Sequence, residues 1–112
     1  MKYAIDTEKL ERKLLLLGIR DNLCGAYYLR AAVLLWRPGM SVTKELYPAV
    51  AKEFGSTASR VERGIRHAIE SGWDRAAEYD RVAIFAGTIV PEKAKPTNSE
   101  YIARLARVCR AD

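Results

Sequence analysis

The chain has few of the residues that bind metals, cross-link or form phosphate loops. Its 112 residues include two cysteines and one histidine. Cys24 and Cys109 stand apart in helical-looking segments with no CxxC pair, which argues against a structural zinc site and fits two thiols in a reducing compartment. A disulfide between them would require the first and last parts of the chain to meet. No apolar run approaches the roughly 20 residues of a membrane span, and Met1-Lys2 lacks the layout of a signal peptide. The expectation is a cytoplasmic protein. There is no glycine-rich phosphate loop, no His/Cys/Asp/Glu cluster and no nucleophile with an evident base. No catalytic residue, metal, cofactor, membrane or small-molecule substrate is therefore expected.

What is present is an ordinary globular balance. Residues are 49% hydrophobic and 29% charged, enough for one real core. Nineteen Lys and Arg against fourteen Asp and Glu give a formal net charge of +5, which favours a polyanionic partner without dictating a fold.

Helical periodicity runs through nearly the whole chain. Asp6 is placed to cap a helix over Thr7 to Leu17, with Gly18 as its stop. Leu10, Leu14 and Leu17 form its buried stripe. Leu15 and Leu16 widen it, so that helix either packs on more than one side or also meets a partner. A second helix spans Leu23 to Trp36, with Leu23, Ala26, Tyr27, Leu34 and Leu35 on one side, and Arg37-Pro38-Gly39 ends it. Ser41 or Thr43 can cap a third. Pro48 then either kinks it or sits in the first turn of a new helix ending at Gly55. Ser59 to Trp73 is the longest patterned helix, and Ser59 with Glu62 has capping-box spacing. A helix follows near Asp80 to Ala86, ending at Gly87. The last runs from about Asn98 to Arg110, with Thr97 and Glu100 again spaced as a capping box. Only Gly87 to Val90 looks strand-like. The predicted fold is all-α, one domain of about six helices over residues 1–112, without winged elements.

Tyr47 to Trp73 carries the functional signal. A helix-turn-helix needs a small residue where its helices cross, a turn residue tolerant of left-handed backbone, and an apolar residue early in the second helix. Ala51, Gly55 and Val61 fit those places. At about 100° per residue, Val61, Ile65, Ala68, Ile69 and Gly72 share one side of the second helix. Ser59, Arg60, Arg63, Arg66, His67 and Glu70 lie opposite, weighted toward the end that a recognition helix inserts in the major groove. Arginine can bond two guanine acceptors and glutamate can accept from cytosine N4. Arg63 is thus the first choice for a base reader, while Glu62 either reads a cytosine or holds an arginine's orientation. Arg60, Arg66 and His67 suit phosphates, which position more than they specify. In the last helix Arg104, Arg107 and Arg110 recur every three residues, a second basic surface. The segment Lys93 to Ser99 places Lys93, Lys95 and free amides at a helix start, either a phosphate site or a capped, solvated helix end.

These residues resemble a known family. TASRVERGIRHAIESGW, with LYPAVAKEFG before it and KAKPTNSEYIA after it, is similar to the C-terminal effector domain of the stage-zero sporulation master response regulator of endospore-forming Firmicutes. The likeness covers roughly Gly18 to Arg110 and is strongest from Leu46 to Trp73. It implies a six-helix transcription-factor domain reading a short GC-containing box, with copies paired head to tail on tandem boxes, and hence nucleoid association. The family's base-reading pair falls on Glu62 and Arg63. Its phosphate contacts fall on Ser59, Arg60, Arg66 and His67, and around the helix start that includes Lys93, Lys95 and Ser99. Residues 76–91 differ from the family's pattern, and no receiver domain is expected within this chain. An alternative reading, motivated by the leucine face of the first helix, is a module that pairs with a full-length response regulator without reading DNA itself.

Overall fold

The computed structural model describes residues 3–21, 23–86 and 95–111. Six α-helices follow one another: α1 (Thr7–Leu16), α2 (Cys24–Leu35), α3 (Tyr47–Phe54), α4 (Ala58–Arg75), α5 (Glu78–Phe85) and α6 (Asn98–Val108). Among the described residues there is no strand, only an isolated antiparallel bridge between Ile5 and Arg110. Among the described residues no helix is long and apolar enough to cross a membrane. The helix predicted to end at Gly87, and the strand-like Gly87 to Val90, run into residues outside the described ones.

Local chemistry sets most of the boundaries. Asp6 caps α1 by accepting from the Lys9 amide, and Gly18, at φ +75°, ends it with the Ile19 amide reaching back to the Leu14 carbonyl. Pro48 settles into the first turn of α3, where its missing N–H breaks no bond. The turn before it, Val42–Leu46, widens into a short π-helical stretch capped by Ser41, with the Tyr47 amide bonded to the Val42 carbonyl. A proline ring crowds the carbonyl four residues back, which disfavours a regular α-turn there. Thr97 and Glu100 form the expected capping box on α6.

Leu10, Leu14 and Leu17 are buried as expected. Leu15 and Leu16 are not: they are 76% and 43% exposed. The predicted apolar side of α2 needs correction, since Tyr27 and Leu34 face solvent while Gly25, Ala26, Leu29, Ala32 and Val33 are buried. The reason is backbone proximity. A Cβ on Gly25 would lie 2.1 Å from the Gly64 carbonyl oxygen, so α2 crosses α4 nearly backbone to backbone. Only small residues fit on α2's inner side there. Gly18 and Gly72 repeat the theme, with a Cβ on Gly18 falling 2.5 Å from the Gly72 carbonyl oxygen.

Around α4 the core is aromatic as well as aliphatic. Val61, Ile65, Ala68, Ile69 and Trp73 are buried from α4, and Trp73 meets Phe85 and Tyr101 edge-on or tilted. Burial pushes the Tyr101 phenol well above the usual tyrosine range. The first and last parts of the described chain meet: the Asp6 amide bonds the Cys109 carbonyl at 2.7 Å and the Ala111 amide bonds the Ala4 carbonyl at 3.0 Å. Cys24 and Cys109 are nevertheless both free thiols, the first exposed and the second buried.

Candidate nucleic-acid interface

The pair α3–α4 turns through Gly55, Ser56 and Thr57. Gly55 takes φ +61°, which an L side chain adopts only under strain, and its amide and that of Ser56 bond back to the last turn of α3. Ala51 and Val61 are buried, at 5% and 0% exposure, where the helices cross. Sequence reasoning missed the brace behind this turn. Tyr28 of α2 lies on Gly64, meets Phe54 edge-on at 5.3 Å between ring centroids, and donates from its hydroxyl to Ser56 Oγ at 3.1 Å. Tyr28 thus touches the end of α3, the turn and α4.

The start of α4 also differs from expectation. Its cap is Thr57, whose hydroxyl accepts from the Arg60 amide at 3.2 Å, so Ser59 lies inside the first turn and the predicted box with Glu62 does not form. The misreading arises because two hydroxyl residues flank Ala58 and spacing alone does not choose between them. Ser59 remains exposed on the outward side.

Glu62, Arg63 and Arg66 line a cleft of about 390 Å³ together with Thr43, Tyr47, Thr97, Asn98 and Ser99. The middle of the α4 face and the start of α6 therefore share one depression. Arg60, Arg63 and His67 are exposed, and their side chains have no ion-pair or hydrogen-bond partner among the described residues. Arg66 is different. Its Nη1 donates to the Pro96 carbonyl at 2.9 Å and its Nε lies 3.3 Å from the Glu70 carboxylate. Two of the guanidinium's donors already face protein groups.

At the start of α6 the capping box occupies the Thr97 and Glu100 amides. The Asn98 and Ser99 amides belong to the first turn, where no helical carbonyl precedes them. Ser99 is exposed on the cleft. Lys95 reaches Asp74 of α4 at 3.1 Å, an exposed pair that competes with any outside anion. Lys93 lies outside the described residues. Of the arginines expected to form a second basic surface, Arg104 is half-buried, while Arg107 and Arg110 are exposed and lie against rings. Arg104 Nε donates to the Ile84 carbonyl at 2.7 Å, Arg107 stacks 5.1 Å from the Trp36 ring and Arg110 4.8 Å from the Tyr3 ring. Residues distant in sequence supply those partners, so the spacing in α6 alone did not reveal them.

Tyr47 sits at the back of the cleft. Its phenol is raised above the usual range chiefly by burial, with the Asn98 hydrogen bond acting the other way.

The all-α domain sets an exposed basic face of α4 beside the start of α6, where the capping box leaves the Asn98 and Ser99 amides without a helical carbonyl. The family described as "Sporulation initiation factor Spo0A C terminal" matches residues 10–109. The chain belongs to that family, a DNA-binding, transcription-regulating domain of sporulation control and not an enzyme family.

Proposed function

We propose that α3, the Gly55-Ser56-Thr57 turn and α4 act as a helix-turn-helix that reads a short GC-containing box in double-stranded DNA. Glu62 and Arg63 are the base readers. Ser59, Arg60, Arg66, His67 and the start of α6, through Lys95 and Ser99 and with Lys93 before them, hold phosphates. The supporting observation is that Arg63 is exposed and unpaired in a cleft that also contains the α6 start. Base reader and anion-binding amides can then meet the same duplex. Arg66 contributes charge to that surface while staying bonded to Pro96. Two copies would sit head to tail on tandem boxes.

Selection of bound duplexes from a random pool, followed by a salt titration on the winner, tests this reading. The expected result is a strong preference for the selected box and a steep fall of affinity with salt. Arg63→Ala should cost roughly 1–3 kcal/mol on the selected box and relax preference at one position. Equal affinity for selected and scrambled duplexes at about 150 mM salt would overturn it.

A second reading has one observation in its favour: Leu15 and Leu16 at the end of α1 are exposed. In that reading the domain pairs with a full-length response regulator without reading DNA. Recovery of such a regulator in a pull-down, with no shifted duplex in a gel, would favour it.

A further inference from the structure

Among the described residues Asn98 is the one buried side chain of the amide or charged kind, at 8% exposure. A buried amide is costly unless bonded, and its place between helices shows what the bonds do. Nδ2 donates to the Tyr47 hydroxyl at 3.0 Å and to the Glu62 carbonyl at 3.2 Å. One side chain therefore joins the first residue of α6 to the first residue of α3 and to the α4 backbone at a base-reading position. The Glu62 carbonyl can only accept, so the amide's orientation follows from chemistry. A reciprocal strut lies alongside: Arg66 of α4 donates to the Pro96 carbonyl, two residues before Asn98. Each segment thus sends a side chain to the other's backbone. Together with the Trp73–Tyr101 packing and the Lys95–Asp74 pair, these bonds hold the offset between the reading face and the α6 amides.

We infer that Asn98 is a positioning residue for DNA recognition, holding the start of α6 and the Glu62–Arg63 pair at the one spacing that lets both engage a duplex in register. This rests on the box reading proposed above. Phosphates recur along any duplex, so a displaced α6 start still finds anions on scrambled DNA. Base contacts tolerate far less displacement. Loss of the joint therefore lowers specific binding more than non-specific binding.

The test compares wild type, Asn98→Leu (similar volume, no donor) and Tyr47→Phe (one acceptor removed) for affinity to the pool-selected duplex and a scrambled one, with thermal unfolding measured in parallel. The expected result is that Asn98→Leu lowers the specific-to-scrambled ratio by about tenfold while scrambled binding changes little, and that Tyr47→Phe lowers the ratio less. A ratio preserved in both variants, even with lower melting temperatures, overturns the inference: Asn98 would then be structural only. If Asn98→Leu does not fold, Tyr47→Phe decides by the same ratio. A wild type that binds both duplexes equally removes the box reading, and the inference with it.

Discussion

Replacing Gly25 by alanine would place a Cβ 2.1 Å from the Gly64 carbonyl oxygen, a contact that backbone must move to relieve. Gly25→Ala should cost about 3 kcal/mol or more, read as a melting temperature lower by roughly 10 °C or more. The two thiols should behave differently. Cys24 is exposed, whereas burial both shields Cys109 and pushes its thiol up, leaving less thiolate. A thiol reagent should titrate one cysteine in the native protein and both in denaturant. Two fast thiols in native buffer would contradict the burial of Cys109. At Lys95 the prediction concerns competition. Asp74 holds its ammonium at 3.1 Å in free protein, so Asp74→Asn should strengthen DNA binding a few-fold, alike on selected and scrambled duplexes. Unchanged affinity would remove Lys95 from the phosphate contacts.

Helix boundaries make their own test. With Thr57 as the α4 cap, Thr57→Ala should cost about 1 kcal/mol of stability and Ser59→Ala much less, measured by denaturant melts. The reverse order would restore Ser59 as the cap. Where boundaries depend on neighbours in sequence, they are legible in the sequence itself: Asp6 and Gly18 around α1, Gly55 after α3, Thr97 with Glu100 on α6. What the sequence concealed is tertiary. No periodicity announces that α2 presses glycine to glycine on α4, and so Tyr27 and Leu34 look like core when they are surface. Arg104 looks like part of a basic stripe until Ile84 is seen beside it, while Arg107 and Arg110 keep exposed charge against Trp36 and Tyr3. Arg63 and Glu62 could be picked from the helical wheel and the family likeness. The joining of Asn98 to the Glu62 carbonyl and to Tyr47 could not, because those contacts span 36 and 51 residues.

At the scale of the molecule, a formal charge of +5 is modest, and its distribution matters more than its size. Arg30 is enclosed by Glu11 and Asp21 between α1 and α2, and these carboxylates raise its already high pKa, so that charge stays fixed in a local network. Arg60 and Arg63 of α4 are instead exposed and have no side-chain partner among the described residues. A salt titration of Arg60→Ala should accordingly show a log–log slope shallower by about one on any duplex, while Arg30→Ala should leave the slope unchanged and lower stability. Equal slopes for Arg60→Ala and wild type would mean that Arg60 meets no phosphate.

The backbone bonds between residues 4–6 and 109–111 bring the two ends of the described chain side by side. Chain order is therefore partly interchangeable with shape. A few Gly and Ser residues could join the ends, and new ends could be opened at the exposed turn around Gly39, where a Cβ would meet nothing within 4 Å. Such a circular permutant should keep every contact that builds the α4–α6 cleft, and it would move any fused cargo from the Ile5–Arg110 edge to the α2–α3 corner.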